Sequence, residues 1–298
     1  MGPSPRVFLL LAAALLGCAT VSHQAPQGPQ KVETWQPPAL SASLQGGTPL
    51  RVMTFNIKSG LYGLEKVARL IEEANPDVVA LQEVDLGARR SGQVDQPAQL
   101  AEATGLRYQA YFQATTKSHG AYGVALLSRF PLEGRSQYRL PVPPGAEPRT
   151  LGHVVVHLGG QEVSLYVTHL IQMPFRDGAR AMQTEVISGI LAEDVRPKLL
   201  LGDFNDFADG TALALLRTQL QDVFATVGQG PGGTLPLPLP FRPECRIDYI
   251  FACSCFVPRT SHVLRVKASD HFPVVAELEL LPHAGEREAM QALASSAR

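Results

Sequence analysis

The sequence predicts an α/β sandwich, a fold in which sheets and helices pack in layers around a shared core. Three observations support this prediction. The domain opens with a strand-like alternation, a helical apolar stripe and a second strand. Many strand-like segments follow in its middle, and no segment repeats. No Gly-x-Gly-x-x-Gly motif follows the first strand, so the pattern does not indicate a dinucleotide-binding domain.

The predicted elements rest on two periodicities, one of strands and one of helices. Alternating or continuous apolar runs predict strands at 50–57, 77–82, 107–112, 123–128, 135–140, 152–157, 163–169, 198–201, 245–252 and 273–280. Helical spacing predicts helices over 64–74, around 97–103 and over 176–192. The first helix is expected to end at Asn75 and Pro76, because proline does not continue a helix. The longest helix is expected to turn four apolar side chains inward, those of Met182, Val186, Ile190 and Leu191.

The composition of the 298-residue chain is that of a globular protein. Its 45% hydrophobic and 18% charged residues exclude a disordered chain, a collagen-like repeat and a polytopic membrane protein. The net charge of −1 also argues against a protein that grips long nucleic acid by its phosphates, since such proteins usually carry a basic excess. Four cysteines are too few for a disulfide framework. Three of them, Cys245, Cys253 and Cys255, leave open one disulfide and lack the second pair that a zinc site needs.

Residues 1–17 are predicted to be a signal peptide rather than part of the domain. The apolar stretch at 7–16 is too short to span a bilayer but suits a secretory signal. It ends in Leu-Leu-Gly-Cys, which resembles a bacterial lipobox and implies that cleavage leaves Cys18 as an acylated N-terminus. The protein would then be exported and anchored by lipid to the outer or plasma membrane of the cell envelope. An ordinary secretory signal with an incidental cysteine is the alternative.

The remaining chain divides into three segments. Residues 18–49 are rich in proline and polar residues and sustain no period, which predicts a flexible tether between the lipid and the domain. The domain is predicted over 50–282. Residues 283–298 are rich in Ala, Glu, Arg and Ser and lack a strong apolar face, so they are predicted to be a peripheral tail. The proline-rich stretch at 231–243 is interpreted as a stiff surface loop, with a pocket wall or a membrane contact as alternatives.

Polar side chains that bind metals or move protons lie at the ends of several predicted strands. They are Asn56, Glu83, His169, Asp203, Asn205, Asp248, Asp270 and His271. Each one alone has a structural explanation as a turn residue, a cap or a hydrogen-bonded core histidine. Capping explains any single position well but explains the whole set poorly. Strands of one sandwich can end on a common rim, so the polar residues at their ends can belong to one site. The sequence therefore predicts an active site at this rim.

An ordered set of short motifs adds a family resemblance. The motifs TFNI, LQEVD, GAYGVALLSR, PRTL, THL, GDFN, RIDYIF and SDHFPV follow one another between about residues 50 and 280. In this order they resemble the endonuclease/exonuclease/phosphatase superfamily, which has the fold of pancreatic-type deoxyribonuclease. The resemblance implies a four-layer α/β/β/α sandwich of two packed mixed sheets flanked by helices. It also implies a metal-dependent phosphodiesterase or phosphomonoesterase, usually one that uses magnesium.

The resemblance assigns a metal site to three residues. Glu83 corresponds to the main magnesium carboxylate, Asn56 lies beside it, and Asp270 is a further acidic contributor. Oxygen ligands of this kind suit Mg²⁺, which binds through one or two carboxylates and the substrate phosphate. Mn²⁺ is the alternative metal.

The resemblance assigns the chemistry of the reaction to further residues. Asp203 corresponds to the group that positions or deprotonates the attacking water, and Asn205 to the amide that orients it. His271 would contact the scissile phosphate and be oriented by Asp248, and charge growing on the phosphate oxygens would be met by such donors. Two further donors to the phosphate are expected, a second imidazole at His169 and a guanidinium at Arg149.

Three functional hypotheses follow. The first is a nuclease-like phosphoesterase that hydrolyses a phosphodiester. The second is a sphingomyelinase-like or inositol-phosphatase-like hydrolase of lipid or small phosphate esters, and the third is a surface lipoprotein that uses the fold only for binding. The expected partners are a phosphate ester (nucleic acid, lipid headgroup or small molecule) and a membrane reached through Cys18. The sequence gives no sign of a protein partner.

Overall fold

The computed structural model describes residues 46–172, 177–239 and 242–282. The signal peptide predicted at 1–17, the acylation site at Cys18, most of the tether and the tail at 283–298 lie outside the described residues. The first strand starts at Thr48, two residues before the strand predicted at 50–57. Within the described residues, no helix is both long enough and apolar enough to cross a membrane.

One of the two large sheets has seven strands in the order β10-β14-β15-β1-β2-β4-β3. These strands are β1 (Thr48–Asn56), β2 (Val78–Leu86), β3 (Tyr108–Lys117), β4 (Gly120–Ser128), β10 (Gly228–Gln229), β14 (Phe256–Val263) and β15 (Val274–Leu280). The sheet is mixed, since β1 runs parallel to β2 and antiparallel to β15.

The other large sheet has six strands in the order β5-β6-β7-β8-β13-β9. They are β5 (Glu133–Leu140), β6 (Arg149–Leu158), β7 (Gln161–His169), β8 (Lys198–Asp203), β9 (Gln221–Asp222) and β13 (Asp248–Ala252). This sheet is also mixed, with β7 parallel and β13 antiparallel to β8. A small separate hairpin joins β11 (Leu235–Leu239) and β12 (Arg242–Cys245).

The core has three apolar clusters, which define four layers. The central cluster joins the two sheets, with Val52 and Phe112 of one sheet packed with Leu165 and Leu199 of the other. On the outer face of the seven-stranded sheet lie α1 (Leu64–Ala74) and α2 (Gln96–Thr104). On the outer face of the six-stranded sheet lie α3 (Asp177–Glu193) and α4 (Thr211–Leu216). The predicted α/β/β/α sandwich is therefore confirmed. A short helix, α5 (Val223–Val227), follows β9.

The ends of the first two helices follow the local sequence. Helix α1 has one apolar face and ends at Asn75, which adopts a left-handed conformation with φ of 45°. Helix α2 begins after Asp95, whose carboxylate accepts a hydrogen bond from the backbone N–H of Ala98 and so satisfies a donor of the first turn. Gly105 follows its last turn in the left-handed conformation.

The predicted inward face of α3 is wrong in part. Met182 and Val186 are 47% and 38% exposed, whereas the neighbouring Gln183 is buried. Gln183 determines this rotation, because its amide accepts from the backbone N–H of Ile171 at 3.0 Å and donates to the carbonyl of Pro141 at 3.0 Å. Satisfying a buried amide outweighs burying the two apolar side chains.

Further differences concern the second half of the chain. The segment predicted as one strand at 245–252 is divided between β12 and β13. The sequence patterns did not predict the strands β9, β10, β11 and β14 or the short helices α4 and α5. The one disulfide among the described residues joins Cys253 and Cys255 at the turn between β13 and β14. Cys245 is buried and lies outside it.

Candidate active site

The register of the six-stranded sheet brings three predicted site residues side by side. His169 at the end of β7 pairs with Asp203 at the end of β8, and Asp203 pairs with Asp248 at the start of β13. A two-residue side-chain period would place the side chains of directly paired positions on the same face of the sheet. All three side chains are buried at this edge of the sheet.

Asp203 lies at the centre of the site. Its Oδ2 accepts a hydrogen bond from Nδ2 of Asn56 at 3.0 Å, and its Oδ1 accepts from the backbone N–H of Asn205 at 2.9 Å. Asn56 ends a strand of the other sheet, so this contact joins the two sheets at the rim. Burial, followed by the negative charge of Asp248, raises the pKa of Asp203 above its usual value. A carboxylate with a raised pKa binds a proton more readily than an exposed one.

Asn205 holds the imidazole of His169. Asn205 adopts a left-handed conformation with φ of 49°, which asparagine tolerates better than most residues, and its Nδ2 donates to Nε2 of His169 at 3.0 Å. Burial, together with the positive charges of Arg149 and His271, lowers the pKa of His169 well below its usual value. The ring is therefore neutral and accepts at Nε2, so its 3.4 Å approach to Asp203 is not an ion pair.

His271 and Asp248 form a hydrogen-bonded pair. Nδ1 of His271 lies 2.9 Å from Oδ2 of Asp248, and its Nε2 lies 3.9 Å from Oδ2 of Asp203. Burial alone would lower the pKa of His271, but the charge and hydrogen bond of Asp248 outweigh it and raise this pKa to about 10. His271 is therefore a cation at neutral pH, with Nε2 as the free donor.

Thr234 connects the two members of this pair through the backbone. Its buried hydroxyl accepts from the backbone N–H of Ile247 at 3.1 Å and of Asp248 at 3.2 Å. Its carbonyl oxygen accepts from the N–H of Phe272 at 2.7 Å, the residue after His271. Thr234 lies in the proline-rich stretch, which thus forms part of the support of the site rather than only a surface loop.

Glu83 and Asn56 form a second polar group beside Asp203. A β-bulge between Leu81 and Val84 interrupts β2, and Glu83 lies in it with φ of 55°, which turns its side chain towards the rim. Oε1 of Glu83 accepts from Nδ2 of Asn56 at 3.1 Å. The Oδ1 of Asn56 accepts from the backbone N–H of Lys58 at 3.1 Å. In this orientation the amide nitrogen of Asn56, rather than its oxygen, faces the carboxylates of Glu83 and Asp203.

Asp270 lies beside Lys58, the residue whose backbone N–H holds Asn56. Its carboxylate forms an ion pair with the ammonium of Lys58 and accepts from the hydroxyl of Ser269 at 3.2 Å. The Lys58 ammonium is also attracted by Glu83. The two acidic side chains predicted to bind metal thus share one neighbouring cation.

Arg149 lies in another wall of the site, where its guanidinium is paired with Glu147. Glu147 also forms an ion pair with Lys117, whose ammonium lies 3.8 Å from the ring centroid of Tyr122. The side chain of Arg149 is 6% exposed, and its Nε has no hydrogen-bond partner among the described residues. A buried donor without a partner in the described residues is suited to donate a hydrogen bond to an oxyanion that enters the site.

These residues enclose a cleft of about 510 Å³. Seven predicted site residues line it, namely Glu83, Arg149, His169, Asp203, Asn205, Asp270 and His271, whereas Asn56 and Asp248 lie behind its wall. The structure therefore brings the whole predicted set together. Sequence reasoning missed Lys58, Lys117, Tyr122, Glu147 and Thr234. Lys58 follows the TFNI motif and Tyr122 lies inside GAYGV, so both had a signal in their neighbouring motifs, whereas Lys117 had none.

One group in the described part of the chain is compact enough to hold a metal ion. Ligand atoms of Asp203, Asp248 and His271 all lie within 4.8 Å of one another. Nδ1 of His271 is already bonded to Asp248, however, and a protonated imidazole is not a metal ligand. This group is therefore better suited to proton transfer than to binding a metal ion.

The four-layer fold and a rim of carboxylates, amides and imidazoles are typical of a family of phosphate-ester hydrolases. The chain belongs to the endonuclease/exonuclease/phosphatase family, whose model matches residues 53–271. Members of this family act on phosphate esters such as nucleic acids and typically use divalent metals. Among curated proteins, none matches the chain.

Solved structures agree with this assignment. An endonuclease/exonuclease/phosphatase from Beutenbergia cavernae is 26% identical with a TM-score of 0.64, and the match covers 78% of this chain and 72% of that one. The mannosyl-6-phosphatase Bt3783 of Bacteroides thetaiotaomicron is 19% identical with a TM-score of 0.62, covering 77% and 99%. A humanized D. rerio TDP2 is 18% identical with a TM-score of 0.59, covering 77% and 98%. The last two show the fold alone.

Proposed function

We propose that this protein hydrolyses a phosphodiester by metal-assisted attack of water, with Mg²⁺ held by Glu83 and Asp270. The observation that carries this proposal is the placement of Asp203 between the hydrogen-bonded pair of His271 and Asp248 and the acidic group at Glu83. A base, a cationic donor and a set of metal ligands thus line one cleft.

The donor set fits a hard divalent cation. Glu83 is half-buried on the cleft, and its contact with Asn56 uses one carboxylate oxygen. Asp270 adds a second carboxylate to the same cleft. Oxygen ligands and space for waters and a phosphate are what Mg²⁺ needs. When bound, the ion would neutralise charge that grows on the phosphate oxygens.

Asn56 has a supporting role in this proposal. It donates from Nδ2 to both Glu83 and Asp203, so it fixes the distance between the metal carboxylate and the base. The backbone N–H of Lys58 holds the amide in this orientation.

Asp203 is proposed to take the proton of the attacking water. Its raised pKa makes it a stronger base than an exposed carboxylate. Asn205 orients Asp203, because its backbone N–H donates to Oδ1 of Asp203, and its side chain is held by the His169 ring and the carbonyl of Leu170. His169 lines the cleft and offers a neutral polar group to the phosphate.

His271 is proposed to donate from Nε2 to the phosphate as its negative charge increases. Asp248 keeps the ring oriented and protonated, so the donor is present before the substrate arrives. Arg149 would supply a second cationic donor from the other wall, where its Nε has no partner among the described residues.

A substrate panel tests the proposal. Purified protein is incubated with bis(p-nitrophenyl) phosphate, p-nitrophenyl phosphate, plasmid DNA and sphingomyelin vesicles, each with Mg²⁺ or with EDTA. We expect magnesium-dependent turnover of the diester and little turnover of the monoester. Preference for the monoester would replace the diesterase proposal with a phosphatase, and preference for vesicles would identify a lipid headgroup as the substrate. No turnover of any ester with any divalent metal would overturn the proposal.

We also propose that the protein is exported and anchored through an acylated Cys18. The supporting observation is the apolar stretch at 7–16 followed by Leu-Leu-Gly-Cys. More than one acyl chain is needed for stable anchoring, because a single chain binds membranes only marginally. The anchor would keep the cleft close to a membrane surface and to substrates outside the cytoplasm.

A further inference from the structure

The segment that follows β1 carries strained backbone beside the cleft. Lys58 and Ser59 have φ of 44° and 55°, and Gly60 continues the left-handed run with φ of 63°. Two successive residues with a side chain in this region cost free energy, and such strain persists where the surroundings enforce it. The segment therefore holds the side chain of Lys58 in a position that an unstrained turn would not provide.

Neighbouring side chains enforce this conformation. Ser59 Oγ accepts from the guanidinium of Arg90 at 2.8 Å, and the Ser59 carbonyl accepts from the amide of Gln96 at 2.6 Å. The backbone N–H of Lys58 donates to Oδ1 of Asn56 at 3.1 Å. These contacts are buried or half-buried, so the segment is held from three sides.

The strained segment directs an ammonium to the carboxylates of the proposed metal site. Lys58 pairs with Asp270, the ammonium is also attracted by Glu83, and both acidic residues line the cleft. The side chains of Lys58 and Asp270 are 41% and 30% exposed, so the pair is accessible to ions from solvent. A divalent cation that binds Asp270 must displace this ammonium or share the carboxylate with it.

We propose that Lys58 competes with the metal ion for Asp270, so that metal binding exchanges one cation for another. The ammonium released from Asp270 then pairs with the phosphate of the substrate, the anion that enters the same cleft. Lys58 would thus couple metal loading to substrate binding. This inference rests on the metal site proposed above.

The other cations of the cleft differ from Lys58 in their ion-pair partner. Lys117 and Arg149 are paired with Glu147, which is not one of the proposed metal ligands. Lys58 is therefore the cleft cation whose partner is a proposed ligand. Removing Lys117 lowers the positive charge of the cleft by the same amount without freeing Asp270, which makes it a matched control.

Metal affinity measures the competition directly. Mn²⁺ binding to the full-length protein is followed by the electron paramagnetic resonance of the free ion, in the absence of substrate. Since a partly exposed ion pair is weak, we expect Lys58→Met to tighten Mn²⁺ binding about threefold to fivefold. Lys58→Arg should retain the wild-type affinity, and Lys117→Met should stay within about twofold of it. Lys58→Met affinity equal to or weaker than that of the wild type would overturn the proposal.

The kinetic constants test the second half of the proposal. At saturating Mn²⁺, Lys58→Met should raise KM for bis(p-nitrophenyl) phosphate although it binds the metal more tightly. An unchanged KM would refute the contact with phosphate. If thermal unfolding shows that Lys58→Met is misfolded, both measurements are repeated with Lys58→Gln.

A further variant separates this inference from the proposed function. Glu83→Gln should weaken Mn²⁺ binding at least about tenfold, because a ligand charge is lost. If it does not, the metal site itself is wrong. If it does and Lys58→Met leaves the affinity unchanged, only the competition by Lys58 is refuted.

Discussion

Replacing Asp248 with asparagine should move the pH profile of the enzyme as well as lower its rate. With Asp248 present, the pKa of His271 is about 10. Without it, only the negative charges of Asp203 and Asp270 oppose the effect of burial, so this pKa should fall. A fall to the ordinary histidine value of about 6.5 would lower the protonated fraction at pH 8 from about 99% to about 3%, a loss of about 30-fold.

The lost orientation of the ring adds to this effect. Asparagine can present its amide nitrogen rather than an acceptor to Nδ1, so the total loss at pH 8 should be on the order of 100-fold. The alkaline limb of kcat should move to lower pH, because a neutral imidazole carries no positive charge to stabilise the phosphate. At pH 6 the loss should be smaller, since part of the His271 population is protonated again.

The assay is the initial rate of bis(p-nitrophenyl) phosphate hydrolysis between pH 5.5 and 10 with saturating Mg²⁺. Asp194→Asn is the control, since Asp194 is a buried carboxylate before the start of β8, bonded to Tyr166 and far along that strand from Asp203. It should leave the alkaline limb in place. The double variant with His271→Ala should be little slower than either single variant, because the pair acts as a unit. An unmoved alkaline limb in Asp248→Asn, or additive losses, would refute the pairing.

Three other predictions concern the metal, the support of the site and the anchor. Glu83→Gln should lower magnesium-dependent kcat by at least about 100-fold without lowering the unfolding temperature, and a wild-type rate at low Mg²⁺ would exclude Glu83 as a ligand. Thr234→Val should lower the free energy of unfolding in urea by about 2–4 kcal/mol, because it leaves two buried backbone N–H groups unsatisfied. Thr234→Ser keeps the hydroxyl, so equal destabilisation of both variants would contradict this explanation. Cys18→Ser should release the protein from the membrane fraction, and acylation of that variant in mass spectra would rule out Cys18 as the anchor.

Much of the site was predictable because residues at the ends of neighbouring strands lie close together in a sheet. His169, Asp203 and Asp248 each border an apolar strand, and the sheet register then places them side by side. The same reasoning does not say which atom of a side chain faces the site. The amide of Asn56 shows this limit, since a backbone N–H two residues later determines its orientation.

The parts that sequence reasoning missed depend on contacts between distant positions. The ion pair of Lys58 with Asp270 joins residues 212 positions apart, and no local pattern indicates it. The rotation of α3 depends on the two hydrogen bonds of Gln183 to other segments, which apolar periodicity does not record. Thr234 lies in a stretch whose sequence predicts a surface loop. Its hydrogen-bond partners include the N–H group of Asp248 in β13 and that of Phe272, the residue after His271, and no local pattern indicates them.

The most direct test of the central claim is the rate of Asp203→Asn with Mg²⁺ and bis(p-nitrophenyl) phosphate, measured beside the wild type. Asparagine retains the size of the side chain but cannot accept the proton of water, so we predict a loss of kcat of about 1,000-fold or more. Mn²⁺ binding should persist in this variant, since the proposed ligands are Glu83 and Asp270. A rate within about tenfold of the wild type would contradict the role of Asp203 as the base and, with it, the proposed mechanism.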